Sequence, residues 1–366
     1  MQRRQFIQFS LLSITAACSP LSLADSGNKM ADLRFLSSVE TALDEHFIAA
    51  ANSAGQQLFR IPVAERCHSG CLNPGTGQAV IMSRRPGINL YVINILEGSL
   101  EATIEAGEDF HFYGHGVFSA DGDRFYATAN HYPSGNGYIR VYAANNGFRH
   151  LQDFSVYGMD PHELRLHPDG QRLVVALGGI KTHPDYGRIK LNLESMRPAL
   201  VVMDRVSGEV LQRCEPSHHQ LSCHHLDISR EGVVIAGYQF EGPKWETPPL
   251  IARLDIRTGA FSEVTLPEHE QAGLGNYTAS VAVHPYSSVA AITAPRGNCV
   301  MLLDYRSGRL LQLVSVPDPG GVLAEREGSF VVSSGHGGLY RIWASAAEPE
   351  LIKHHALRWD NHLTRG

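Results

Sequence analysis

Charge is scarce in this 366-residue sequence: Asp, Glu, Lys and Arg together make up 19%, against roughly a quarter in an average globular protein. That scarcity argues against a coiled coil or an array of long solvated helices. The formal charge of −6 leaves no electrostatic reason to bind nucleic acid. No apolar run beyond the N-terminus approaches the ~20 residues needed to span a bilayer. Signature loops are missing as well. There is no Gly-x-Ser-x-Gly elbow, no Walker loop and no His-Glu-x-x-His, so no nucleotide site is expected. Without a Cys-x-x-Cys-His, neither haem nor quinone is indicated.

What is present is turn chemistry, apolar residues and histidine. Thirty-five Gly and nineteen Pro favour many short strands over long helices. Hydrophobic residues at 43% suffice for a sizeable core. Nineteen histidines are the outlier.

The first 24 residues have the pattern of an address. A basic start, a moderately apolar middle and Ser22-Leu23-Ala24 as a small-x-small cleavage site predict a signal peptide over residues 1–24. Arg3-Arg4-Gln5-Phe6-Ile7 resembles the twin-arginine export signal, with an ordinary secretory signal or a lipoprotein signal at Cys18 as alternatives. Cleavage removes Arg3 and Arg4 and leaves a formal charge of −8 on residues 25–366. The expectation is a periplasmic protein exported already folded, a single domain over residues 25–366.

A hairpin recurs in which an apolar run ends in Asp or Asn and turns at Gly. It appears at Leu90–Gly98, Leu200–Gly208, Ile251–Gly259 and Val300–Gly308, with a looser copy at Ile139–Gly147. The turn glycines are spaced by 49, 61, 51 and 49 residues, a period that marks β-propeller blades. Earlier strand pairs accompany these hairpins and define six units. The seventh must be composite: His46–Ala51 is expected as a second strand, and Trp359–Leu363 as the isolated first strand that pairs with it. The prediction is an all-β, seven-bladed propeller whose ring is closed by its two termini, which hides both sheet edges.

The first strand of each blade lines the central channel of a propeller. Its starts here are Cys67-His68, Gly114-His115-Gly116, Pro161-His162-Glu163, Cys223-His224-His225 and Asn361-His362, with Ala279-Ser280 and Gly320-Gly321 completing the circle. His68, His115, His162, His224 or His225, and His362 therefore converge on one axis, and neutral imidazoles there suit iron, copper or zinc. Since each ligand must be neutral, such a site should empty below pH ~6. A structural ring of hydrogen bonds is the alternative. Loops between second and third strands add Arg84, Arg85, His131, Tyr238, Arg296 and His336 to that face, and an insertion in the third blade, residues 179–198, adds His183. Cys67 and Cys223 precede channel histidines and are candidate thiolate ligands, while Cys214–Cys223 and Cys67–Cys71 are candidate bridges.

His111-Phe-Tyr-Gly-His115-Gly-Val-Phe-Ser119, Lys190-Leu-Asn-Leu-Glu-Ser-Met-Arg-Pro198 and Trp359-Asp-Asn-His-Leu363 resemble an uncharacterised family of twin-arginine-exported bacterial seven-bladed propellers. Genes of that family often lie beside imelysin-like, iron-regulated periplasmic proteins. The resemblance covers nearly the whole mature chain and implies a propeller similar to quinoprotein dehydrogenases and YVTN repeats. It implies an accessory role in iron acquisition, with another periplasmic iron-uptake protein as partner, and no established reaction. The expectation is a protein that binds a transition metal, iron before copper. A dehydrogenase-like or lactonase-like enzyme and a protein-interaction platform are the alternatives. The lactonase reading is the weaker enzyme, because the channel mouth is expected to be poor in Asp and Glu.

Overall fold

The computed structural model describes residues 33–365 apart from 188 and 326. The signal peptide expected at 1–24 lies outside the described residues. Seven antiparallel sheets form a ring, the first six built in simple meander order. The first six blades begin with inner strands Cys67–Leu72, Phe110–Phe118, Pro161–Leu166, Leu221–Ile228, Ser280–Val283 and Pro319–Ala324.

The turns form where the repeat chemistry places them. Asp204 Oδ1 accepts backbone N–H groups from Val206 and Ser207, Asp255 Oδ1 those of Arg257 and Thr258, and Asn94 Oδ1 those of Leu96 and Glu97. The following Gly98, Gly208, Gly259 and Gly308 all sit at φ between 64° and 75°, left-handed backbone that glycine adopts without penalty. Middle strands are buried on both faces because each blade packs between two others. Every residue of Val233–Phe240 is buried, for example. Outer strands such as Ser99–Glu105 alternate towards solvent.

The seventh blade joins the ends of the chain. Arg358–Trp359 and Thr364–Arg365 both pair with Leu33–Glu40, which continues into His46–Asn52 and Gln57–Val63. The closing segment therefore neighbours Leu33–Glu40 rather than His46–Ala51, which is the next strand out. The expected first strand is innermost, but of residues 359–363 only Trp359 is paired, and pairing resumes at Thr364. The strand before His46 was missed because its polar residues, Ser37 and Ser38, break the apolar pattern although both are buried against the closing segment.

Register along the inner strands is irregular where the histidines lie. The pairing slips between Cys67 and Gly70, between Phe112 and Gly116, between Pro161 and Glu163, and between Cys223 and His225. The closing segment pairs at Trp359 and at Thr364, with Asp360 and His362 falling between. A bulge adds a residue to one strand and re-aims its side chain. In this ring, bulges turn imidazoles to the axis.

Candidate metal centre

His68, His115, His162, His225 and His362 meet as one cluster. Ring centroids are 4.4 Å apart for His68–His362, 4.7 Å for His115–His362, 4.6 Å for His225–His362, 5.0 Å for His162–His225 and 5.5 Å for His115–His162. All are buried, His115 completely. The bulge in the fourth blade turns both residues of its histidine pair inward. His225 joins the cluster, and His224 stacks on His162 at 4.0 Å. Gly114, at φ +99°, makes the tight approach possible, because a Cβ there would lie 2.9 Å from the His68 ring.

Carboxylates interleave with the imidazoles. Asp360 Oδ1 lies 2.8 Å from His68 Nδ1 and also accepts the N–H of Asn361, while its Oδ2 takes Arg66 at 2.6 Å. Glu163 Oε2 lies 2.9 Å from His225 Nδ1, and Oε1 takes Arg165 at 2.6 Å. A carboxylate only accepts, so both histidines carry their proton on Nδ1 and keep an Nε2 lone pair for the cluster. Asp160, with no exposed surface, faces His162 Nδ1 at 3.5 Å, Arg85 at 3.7 Å and His224 Nε2 at 4.0 Å.

Burial dominates the protonation states. It lowers His68 to about 3 against the opposing pull of Asp360, and His162 to about 4 against Asp160. It pushes His115, His224 and His362 well below the ordinary range, and neighbouring histidines push them further. Burial alone would raise Asp360, but His68, Arg84 and Arg66 hold it well below the usual carboxylate range. Glu163 is likewise held low by Arg165 and by the His225 hydrogen bond, against its burial. Neutral imidazoles among anionic carboxylates make a donor set with no protons to displace at neutral pH.

Three groups of donor atoms lie within 4.8 Å of one another: His68–His115–His362, His115–His162–His225 and Asp160–His162–His224. Both nitrogens of His115 and His224, Nε2 of His362, Nδ1 of His162 and both oxygens of Asp160 are buried and make no hydrogen bond among the described residues. Each such atom costs about 1–3 kcal/mol unless a partner satisfies it. A metal ion supplies that partner for the carboxylate oxygens and for the lone-pair nitrogen of each neutral imidazole, so the residues fit one.

Two cavities flank the cluster. One of about 250 Å³ is lined by His162, His224, His225, Arg84, Arg85 and Lys190, among others. Residues further along the inner strands, including Arg165, Asp227 and His362, line one of about 400 Å³.

The matching family is described as "Protein of unknown function (DUF1513)", and it covers residues 61–366. The chain belongs to this family. No curated protein matches it. Among solved structures, Kuenenia stuttgartiensis hydrazine synthase is similar with a TM-score of 0.65, over 84% of this chain and 95% of that one, at 14% identity. Likeness at that identity shows the propeller fold alone. No helix among the described residues is long and apolar enough to cross a membrane.

The outer residues of this family member are placed less uniformly. Arg84 lines the cavity. Arg296 stacks over Tyr277, which also lines the cavity, at 4.4 Å. Tyr238 instead belongs to strand Val233–Phe240 and is fully buried in the hydrophobic core, because strand alternation turns it from the channel. His131 packs on Phe110 and bonds Ser134 at the strand end, His336 is exposed in a turn, and His183 lies between Tyr132 and Tyr186 in the insertion. The five described cysteines are unbridged. Cys67 and Cys223 point into apolar clusters, where burial pushes their thiols up, so neither offers a thiolate.

The channel is not poor in acid. Asp160, Glu163 and Asp360 are the acidic residues of the candidate site that sequence reasoning missed. The signal was local: each stands within two residues of a channel histidine, in Asp160-Pro-His162-Glu163 and Asp360-Asn-His362.

Proposed function

We propose that this protein is a periplasmic metal-binding propeller that holds a transition-metal ion, iron before copper, in the histidine–carboxylate cluster of its channel. The observation that carries this reading is the set of buried, unbonded donors on His115, His162, His224, His362 and Asp160. Carboxylate oxygen beside imidazole is a harder donor set than imidazole alone, which favours iron. The twin-arginine pattern at Arg3-Arg4 supports export after folding, and the family resemblance supports an accessory role in iron acquisition beside another periplasmic uptake protein.

Titration calorimetry with Fe2+ and Cu2+ on the metal-free protein tests the centre. The His115→Ala/His162→Ala double variant removes a member of each donor group and should lose at least a hundredfold in affinity. Equal affinity in both proteins would make the cluster a structural hydrogen-bond ring. Replacing Arg3 and Arg4 by Lys should hold the precursor in the cytoplasm. Normal maturation of that variant would assign export to the general secretory route.

A further inference from the structure

We propose that Asp160, His162 and His224 form the face that takes the ion, and that the adjoining cavity admits an anionic oxygen-donor ligand that fills the ion's open positions. This rests on the metal-binding reading above and specifies where the ion sits and what accompanies it.

The distances carry the first half. Asp160 Oδ1 is 3.5 Å from His162 Nδ1 and Oδ2 is 4.0 Å from His224 Nε2. Both separations are longer than ordinary hydrogen bonds; the first is close to the ~3.0–3.4 Å spacing of neighbouring ligands around an ion with bonds of ~2.1 Å, and the second exceeds it by about half an ångström. The same atoms make no hydrogen bond, and Asp160, His162 and His224 are 0%, 8% and 5% exposed. His115, which both all-imidazole groups require, is fully enclosed, whereas His162 and His224 line the cavity. Two imidazoles and one carboxylate occupy one face of an ion and leave the others open.

Charge carries the second half. Arg85 Nη1 lies 3.7 Å from Asp160, is buried and makes no hydrogen bond among the described residues. Lys190 of the insertion pairs with Glu241, and Arg84 stands 3.5 Å from Asp360. An ion bound to Asp160 shares the carboxylate that offsets Arg85, so two positive charges then adjoin away from water. An anion in the cavity offsets both, and the guanidinium fork matches a carboxylate.

Co2+ is the metal probe and oxalate the anion probe, with far-UV circular dichroism checking each variant's fold. Asp160→Asn and His224→Gln should each weaken Co2+ binding at least tenfold, while Thr293→Val, in a blade that offers the channel no histidine, should stay within twofold of wild type. Oxalate should shift the visible absorption of the Co2+-loaded protein, and Arg85→Gln should need about ten times more oxalate for the same shift. Retention within twofold in Asp160→Asn or in His224→Gln overturns the assignment of the face and leaves the metal-binding reading standing. Oxalate without effect on the Co2+-loaded wild type overturns the anion site. A wild type that binds no Co2+ removes the metal-binding reading itself.

Discussion

The inner strands of the third and fifth blades occupy equivalent places in one ring and behave differently. Ser280–Val283 pairs with Val289–Ala294 in unbroken register and offers the channel small and aliphatic residues. Pro161–Leu166 slips between Pro161 and Glu163, and around that slip lie Asp160, His162 and Glu163, all buried. A regular strand sends alternate residues to its two faces, so adjacent positions cannot both reach the axis. A bulge breaks that alternation, which is how His224 and His225 both turn inward. The propeller's stability comes from its regular, apolar strands. Its chemistry is concentrated where regularity fails.

The difference is broken most severely at Asp360. Asp360→Ala strips His68, Arg66 and Arg84 of their shared partner and should destabilise the fold by about 3–5 kcal/mol, as expected for half of a buried ion pair. Urea denaturation measures it, and a loss below about 1 kcal/mol would mean that the cluster does not depend on its carboxylates.

Acid should act on the same region. His68 and His162 stay neutral in the fold down to about 3 and about 4, whereas in the unfolded chain they take up protons below about 6.5. Between pH 4 and 6.5 the unfolded state therefore binds more protons, and stability should fall on acidification by up to about 1.4 kcal/mol per pH unit for each histidine. Glu163 and Asp360, held low in the fold, extend the loss further into acid. For the proposed metal ion, the same burial should lower the pH at which protons displace it below the ~6 expected of free imidazole. A pH series of denaturation midpoints and of bound metal checks both. Flat stability from pH 7 to 4.5 would contradict the neutral cluster.

Gly114→Ala sharpens the comparison at one bulge. Its positive φ and the contact of an added Cβ with His68 should cost about 1–3 kcal/mol. An equal loss at an ordinary strand glycine would remove the special role of this position. Thr293→Val in the regular fifth blade deletes only the hydrogen bond from Thr293 Oγ1 to Gly320 O. It should cost about 1 kcal/mol, with metal affinity unchanged.

The repeat of Asp or Asn followed by turn glycine, with its spacing and the strand pairs that precede it, determined six of the seven blades and the order of their strands. Those turns are closed by side-chain-to-backbone bonds a few residues apart, so local sequence carries them. The histidines at the inner strand starts were legible for the same reason, because a repeat position maps onto one place in the ring. The tertiary structure alone decided which residues face the axis. Bulges change the direction of His225 and of Glu163 by local slips that no periodicity records. The partner strand of Trp359 was also decided there, since Ser37 and Ser38 become core only when the closing segment covers them. Spacing along a chain specifies what repeats. Which donors meet across the channel depends on contacts such as His68 with Asp360, 292 residues apart.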